Sequence, residues 1–536
     1  MAGRGIFWNL KGDIFGGVTA AVVALPLALA FGVASGVGPI AGLYGAIAVG
    51  FFAAVFGGTP SQVSGPTGPM TVAMAAVVIQ YADNPGTAFL IVMLAGVLQI
   101  IFGMLQVGRY VSYTPHSVVS GFMSGIGVII ILIQTLPFLG LATAGGGPVG
   151  AISFWPQIPS LLNSDALVIA STSLGVMVFW PARLNAILPS ALAALLVGTG
   201  LALTLFSGAP IIGDVPTGFP AIQFPDITFG GLPGLIGPAV ILALLGSIDS
   251  LLTSLVADSI TRTRHNSNRE LIGQGIGNIA AGLIGGLPGA GATMRTVVNV
   301  RAGGRTPLSG ALHAVILLAL VLGLGPLAEQ VPHAALAGIL MKVGWDIIDW
   351  KYLKRIAIAP KDNVFVMLVT FGMTVFVDLI TAVGVGIILA SFVASRRAET
   401  HELEGVTALA LKSDGEMLSE KENAMLDTLG GEVALVNLRG RFSYASAREM
   451  MHSIGVFDGK KLVIIYDFSE TVYVDTSAAL AIKDMLIGAH DQTEKVYVCG
   501  LSGETLKTLT SLGVLECIPG DHVFETRSQA IAGVAG

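Results

Sequence analysis

Charge is scarce in this chain. Only 12% of its 536 residues are Asp, Glu, Lys or Arg, and the net charge is −6; an ordinary soluble domain carries about 25% charged residues. No nucleic-acid partner is expected of such a chain. Cysteine is nearly absent. Cys499 and Cys517 are the only two, so neither a disulfide framework nor a thiolate metal cage is available, and reduced cytosolic thiols are expected. There is no HExxH, no P-loop and no nucleophile–base pairing, which leaves no enzyme reading and implies no cofactor. Aromatics reach 7%, with Trp8, Trp345 and Trp350 placed as interfacial anchors.

What the chain does have is apolar residues, at 53%, and 70 glycines, the composition of helices that pack closely in lipid. Apolar runs begin near residues 14, 39, 68, 87, 116, 166, 187, 232, 272, 293, 308, 333, 362 and 381. These predict an α-helical membrane protein of 14 elements. Those near 68 and 293 are half-helices, shorter than the ~20 residues a full span needs. Residues 1–397 hold 17 Lys and Arg against 13 Asp and Glu, whereas 398–536 hold 11 against 21. The expected organisation is a transmembrane transport domain over 1–397, a linker with a first strand over 398–431, and a soluble domain over 432–536. The N-terminal run is expected to be the first span, not a cleaved signal. With the N-terminus inside, Lys11, Arg109, Arg183, Arg262, Arg305 and Lys361 all fall on the cytoplasmic side. The expected outer connections, around 34–38, 82–86, 139–164, 207–230 and 326–332, contain no Lys or Arg. Positive charge is kept inside, so both termini are expected in the cytoplasm of a bacterial-type inner membrane. Seven plus seven elements then makes an inverted repeat.

Two stretches carry the functional signal. The segments 65-GPTGPMTVAM-74 and 289-GAGATMRTVV-298 share glycine and methionine at a constant offset of 224 residues. Unwound backbone costs several kcal/mol in lipid and persists where it lines a polar cavity. Interrupted helices at equivalent places in two halves point to the substrate site of a secondary transporter. Two helix N-termini would face that site, with an anion held by backbone N–H groups of Gly68, Met70, Ala292 and Thr293 and by the Thr67 hydroxyl. Glycine at 68 and 291 allows close approach, and Arg295 adds a positive charge. Asp249 is a carboxylate inside a predicted span, a functional-site hypothesis by default. Thr253 lies one turn on, and Ser247, Ser250 and Ser254 add polar atoms. Carboxylate, hydroxyl and carbonyl oxygens suit a small cation such as Na⁺; the structural alternative is that Asp249 pairs with Arg295 for packing. Gln274, Asn278 and Asn299 are expected to bond between helices, His116 and His333 to sit at span ends, and Glu329 and Asp378 near outer connections.

The strings 13-DIFGGVTAAVVALPLALAFGVASG-36, 63-VSGPTGPMTV-72, 120-SGFMSGIGV-128 and 289-GAGATMRTVVNVRAGGRTPLSG-310 resemble the SulP (sulfate permease) anion transporter family. The stretches 248-IDSLLTSLVADSITRTRHNSNRELIGQGIGN-278 and 342-KVGWDIIDW-350 resemble its sodium-dependent bicarbonate branch. The resemblance implies a 7+7 inverted-repeat fold in which a core domain moves against a gate domain, and a homodimer. It also implies that Asp249, Thr253, Gly291 and Thr293 surround Na⁺, with Ala292 beside the anion. Arg295 departs from that branch, where a small residue stands; sulfate- and chloride-handling relatives have arginine there. The expected function is secondary active transport of a small inorganic anion, bicarbonate first and sulfate next. It would proceed by Na⁺- or H⁺-coupled symport with elevator-type alternating access. The alternatives are a proton-coupled sulfate or dicarboxylate transporter, and an uncoupled exchanger or channel.

The acidic tail alternates strand-like runs, 432–440, 461–468 and 494–501, with helical ones at 444–454, 476–490 and 503–512, which predicts a small α/β domain. The string 467-DFSETVYVDTSAAL-480 resembles the STAS domain, in which a serine matching Ser477 can be phosphorylated, so Ser477 is the candidate regulatory residue. Its structural alternative is capping of the helix that follows 475-DTS-477.

Overall fold

A computed structural model describes residues 7–82, 84–108, 115–144, 146–181, 183–184, 188–213, 222, 232–377, 379–403, 406–409, 418–429, 433–443, 463–493 and 495–535. The chain divides into two compact units, Met1–Ile388 and Leu389–Gly536.

The first unit is helical. Besides short helical turns at Gly147–Phe154, Ile158–Leu161 and Trp350–Leu353, its helices are α1 (Leu10–Ala34), α2 (Pro39–Phe56), α3 (Gly68–Gln80), α4 (Pro85–Met104), α5 (His116–Phe138), α6 (Ser164–Phe179) and α7 (Ser190–Thr204). They continue as α8 (Leu232–Thr261), α9 (Ser267–Leu283), α10 (Thr293–Arg301), α11 (Pro307–Glu329), α12 (His333–Ile347), α13 (Lys361–Phe376) and α14 (Leu379–Leu403), which runs across the boundary between the units. Proline opens several of them: Pro39, Pro69 and Pro85 occupy the first turn, where the missing N–H has no intrahelical partner to lose. Among the described residues five helices, α1, α2, α4, α5 and α8, are long and apolar enough to cross a membrane. The half-helices α3 and α10 are 13 and 9 residues long.

The helices sort into two bundles. One is built from α1–α4 and α8–α11, the other from α5–α7 and α12–α13, with α14 joining the second where Gly386 meets Thr370 and Val118. Each bundle has a glycine-on-glycine crossing. In the first, a Cβ on Gly275 would lie 2.4 Å from the Gly96 carbonyl; in the second, a Cβ on Gly127 would lie 2.4 Å from that of Gly344. Small residues let backbones touch where lipid offers no hydrophobic drive for association. Buried carboxylates pin the ends. Asp13 of α1, fully buried, accepts the N–H groups of Arg305 (2.8 Å) and Thr306 (3.0 Å), which fixes the start of α11.

In the second unit a five-stranded sheet runs in the order β3-β4-β6-β8-β9, with β3 (Val406–Leu409) antiparallel to β4 (Val433–Leu438). Strands β4, β6 (Val463–Asp467), β8 (Lys495–Cys499) and β9 (Val523–Phe524) are parallel. A short parallel pair joins β5 (Gly440–Phe442) to β7 (Thr471–Val474). Helices α15 (Glu420–Thr428), α16 (Thr476–Gln492), α17 (Gly503–Ser511) and α18 (Arg527–Ala535) complete the unit. Strands β4, β6 and β8 and helices α16 and α17 fall where the apolar pattern predicted them, β7, β9, α15 and α18 were not foreseen, and the helix expected at 444–454 lies outside the described residues. Asp475 caps α16 by accepting the Ala478 N–H at 2.8 Å. Ser477 does not cap; it is exposed at the second helical position. Buried Asp467 binds Arg527 of α18 at 2.5 Å.

Candidate functional site

The two glycine-rich breaks meet. Strand β1 (Ser64–Gly65) pairs antiparallel with β2 (Ala290–Gly291), with Ser64 opposite Gly291 and Gly65 opposite Ala290. Each strand leads within three residues into a half-helix, so the N-termini of α3 and α10 start from one small sheet. The pairing uses one of the N–H groups expected to face an anion, that of Ala292, while helix α8 takes the neighbouring Gly291 N–H. Ala292 N–H donates to the Val63 carbonyl at 2.9 Å, and Gly291 N–H to Ser250 Oγ at 3.0 Å. Gly68, Met70 and Thr293 keep N–H groups with no partner among the described residues. Neither N-cap residue, Thr67 nor Ala292, caps its helix through a side chain.

Helix α8 crosses beside this sheet. Thr253 Oγ1 donates to the Gly291 carbonyl at 2.9 Å and lies 2.7 Å from Thr293 Oγ1. Three of the four residues expected around Na⁺ are thus in direct contact, and Asp249 stands one turn back along α8. Asp249 Oδ2 and Thr67 Oγ1 are both buried without a hydrogen-bond partner among the described residues. The polar neighbours of the Asp249 carboxylate are the Thr67 hydroxyl and the Arg295 guanidinium. Asp249 and Arg295 are not an ion pair within 4.0 Å. Arg295, 2% exposed, instead donates from Nη2 to the Pro66 carbonyl, and a Cβ on Gly65 would sit 2.7 Å from Nη1. The guanidinium therefore ties the second half-helix to the break in the first. Thr71, its counterpart in the first copy, donates to the Thr67 carbonyl of its own helix at 2.7 Å.

Sequence reasoning missed the carboxylate that supports this sheet. Glu270, 1% exposed in the first turn of α9, accepts from Gly58 N–H and Thr59 N–H at 2.9 Å and from Gln62 and Gln274 amides at 2.8 Å. Gln62 Oε1 in turn accepts from Ser254 at 3.0 Å, and Gln274 donates to Ser64 of β1 at 2.6 Å. The available signal was Gln274 four residues after Glu270, on the same helical face. His313, fully buried on α11, also passed unremarked. Asn278 bonds between helices as expected, to Gln99 at 2.8 Å, and so does Asn299, to Ser309 at 2.9 Å, whereas Gln274 reaches strand β1 and Glu270 of its own helix. His116 and His333 open α5 and α12. Asp378 lies outside the described residues.

Two openings flank the half-helix α3. One, a gap of only about 10 Å³, lies between the bundles and is lined by Pro69, Asp249 and apolar side chains. The other, of about 590 Å³, borders Val72, Ala76 and Gln80 and has no charged residue among its described lining residues. Between them Gly68 seats against the second bundle: a Cβ there would meet Ile347 Cδ1 at 2.8 Å and Ile130 Cδ1 at 3.1 Å.

Residues 10–370 match the sulfate permease family and residues 425–530 the STAS domain. The chain belongs to the sulfate permease family. It is 43% identical to the bicarbonate transporter BicA of Picosynechococcus sp. and 44% identical to that of Synechocystis sp., each alignment covering 98% of this chain and 94% of the relative. A putative sulfate transporter of Bacillus subtilis, YvdB, is 30% identical over 96% of both chains. These family relatives are named as transporters, not enzymes. Among solved structures, the transmembrane domain of a cyanobacterial BicA superposes with a TM-score of 0.67 at 51% identity, covering 70% of this chain and 98% of that one. The murine Solute Carrier 26 family member A9 anion transporter shares the fold, with a TM-score of 0.82 at 19% identity over 99% of this chain and 93% of that one.

Proposed function

We propose that this permease carries a small inorganic anion across a bacterial-type inner membrane, bicarbonate first and sulfate next, by symport with Na⁺. The observation that carries this is the pair of buried, unpartnered oxygens, Asp249 Oδ2 and Thr67 Oγ1, next to the open N–H groups at the starts of α3 and α10. Thr67, Gly68, Met70, Thr293 and Arg295 form the anion side, with Gly291 and Ala292 shaping it through the sheet. Asp249, Thr253, Thr293 and the Gly291 carbonyl form the cation side. Relatives named as bicarbonate transporters at 43–44% identity support the choice of anion. The two bundles draw on corresponding helices of each half, which supports 14 elements in a 7+7 inverted repeat and an elevator movement of one bundle against the other. A homodimer with both termini in the cytoplasm, and control through phosphorylation of exposed Ser477 at a helix N-terminus, complete the proposal.

Arg295 favours a second reading. A permanent guanidinium beside Asp249 can provide the positive charge that Na⁺ would otherwise bring, and would suit a proton-coupled sulfate or dicarboxylate transporter or an uncoupled exchanger. Uptake of radiolabelled bicarbonate and sulfate into proteoliposomes, each with and without Na⁺ or H⁺ gradients, separates the readings. Bicarbonate uptake that rises with a Na⁺ gradient supports the first; uptake indifferent to Na⁺ overturns it.

A further inference from the structure

Four of the five tryptophans in the chain belong to the second bundle. Trp155 lies in a short turn between α5 and α6, and Trp180 follows the last residue of α6. Trp345 sits in the last turn of α12, and Trp350 opens the helical turn beyond it. Trp8, just before α1, is the fifth. Tryptophan rings settle at the boundary between hydrocarbon and water, so the second bundle has more to hold it there than the first. The last two rings act together. Their centroids are 4.3 Å apart, Trp350 Nε1 donates to the Trp345 carbonyl at 2.9 Å, and Trp345 is 51% exposed.

The connection from α12 to α13 adds charge beside this pair. It coils in short turns: the Lys354 N–H donates to the Trp350 carbonyl and the Ile358 N–H to the Arg355 carbonyl, each at 3.0 Å. Lys351, Lys354, Arg355 and Ile358 therefore recur at the i, i+3, i+4 and i+7 positions that share one face. All four are exposed, Ile358 by 83%. The neighbouring carboxylates are engaged elsewhere. Asp346 is held by Lys342 at 2.5 Å, Asp349 accepts the Tyr352 N–H at 3.1 Å, and Asp362 stands in the first turn of α13. Among the described residues no carboxylate lies within 4.0 Å of Lys351, Lys354 or Arg355. Unneutralised cations in line with an exposed isoleucine, next to stacked tryptophans, match the layer in which an acyl chain meets an anionic headgroup.

We propose that this face, Lys351 to Ile358 with the Trp345–Trp350 pair, binds headgroups of anionic phospholipids in the inner leaflet and fixes the second bundle at the membrane surface while the first carries the anion. The leaflet and the movement rest on the transport reading and its cytoplasmic termini; the lipid chemistry rests on these side chains alone. The phosphate lies among the three cations, and the start of the acyl chains lies against Ile358 and Trp345. Each cation adds about fivefold to the preference for an anionic lipid.

The test places the full chain in phosphatidylcholine vesicles that hold a trace of photoactivatable phosphatidylglycerol or photoactivatable phosphatidylcholine, and maps crosslinked peptides by mass spectrometry. The peptide holding 351–358 should capture phosphatidylglycerol in preference to phosphatidylcholine. Lys351→Gln, Lys354→Gln and Arg355→Gln together should cut that preference by roughly a hundredfold, whereas Lys351→Arg with Lys354→Arg should keep it. Arg262→Gln with Arg264→Gln, on the α8–α9 connection, should leave it unchanged. Trp345→Ala should lower capture of both lipids alike. No preference in the wild type, an unchanged preference in the folded triple variant, or an equal loss in the Arg262 and Arg264 variant overturns the inference. Displacement of phosphatidylglycerol by millimolar inorganic phosphate also overturns it, since the face would then be a site for a free anion. None of these readouts needs uptake. Lost preference in a chain that still transports leaves the transport reading standing, and a chain that takes up neither anion but keeps the preference overturns the transport reading alone.

Discussion

Asp249→Asn keeps the shape of the side chain and removes its charge. In the fold the Thr67 hydroxyl is the polar neighbour of the Asp249 carboxylate, outside strict hydrogen-bond geometry, and asparagine keeps an oxygen that can accept from it. The substitution breaks no close ion pair, since Arg295 lies beyond 4.0 Å. At 4 Å and an effective dielectric constant of 20 the attraction would be about 4 kcal/mol, so the actual term is smaller. A cation that uses the carboxylate loses far more relative to its total binding. Removing one partner of a buried charged contact costs about 2–5 kcal/mol. At 1.4 kcal/mol per tenfold, that is a loss of about 30-fold to several thousand-fold in apparent cation affinity. The assay is the initial rate of bicarbonate uptake against external Na⁺, for wild type, Asp249→Asn and the double variant with Arg295→Gln. Na⁺ dependence should move out of the accessible range in the single variant, and Arg295→Gln should not bring it back. An unchanged half-saturating Na⁺ concentration would refute the reasoning. So would recovery in the double variant, which would make Asp249 and Arg295 a charge pair that holds the site together.

Gly291→Ala should disrupt the sheet behind the site, because its Cβ would lie 2.4 Å from Gln62 Nε2 and 3.0 Å from Ser250 Cα. Gln62 must then leave Glu270 and Ser254, a loss of about 2–4 kcal/mol, visible as a lower unfolding temperature in detergent together with reduced uptake; wild-type values for both would count against it. In the second unit, Asp475→Ala removes the cap of α16 and should destabilise that unit by about 1 kcal/mol, whereas Ser477→Ala should leave its unfolding transition unmoved. Burial alone would raise the Glu422 carboxyl, but hydrogen bonds from Ser419 and Ser528 outweigh it and hold the group below the ordinary glutamate range. A depressed carboxylate stabilises fully above its unfolded pKa of about 4.3 and loses that contribution as pH falls through its folded value. Hydrogen exchange around α15 should therefore quicken on acidification below about pH 4.3, and protection that rises there would contradict the assignment.

The elements of this chain were legible because lipid-adapted helices advertise themselves. Long apolar runs such as 10–34 and 116–138 have no competing interpretation at their length, and Pro39, Pro69 and Pro85 mark starts through chemistry local to the chain. The glycine-rich breaks were legible for the same reason: few other residues tolerate such close backbone contact. The use of individual N–H groups was not legible. Whether Ala292 donates to a ligand or to Val63 depends on which strand lies beside it, across more than 200 residues of sequence. Glu270 was hidden because its four donors come from a loop after α2, from Gln62 and from Gln274, and no local pattern announces that meeting.

By itself the sequence determined the class of molecule, the two broken helices and the residues around them, since hydropathy, proline and glycine act within a turn or two of where they stand. Only the tertiary structure decided how those residues divide their work. Packing brought β1 against β2, which engaged the Ala292 N–H, and set Ser250 of α8 against the Gly291 N–H. It pointed Arg295 at the Pro66 carbonyl and buried Asp249 and Thr67 side by side behind the sheet. Hydrogen-bond partners and cavity shape are properties of elements distant in the chain, and they exist only once the chain has closed around them.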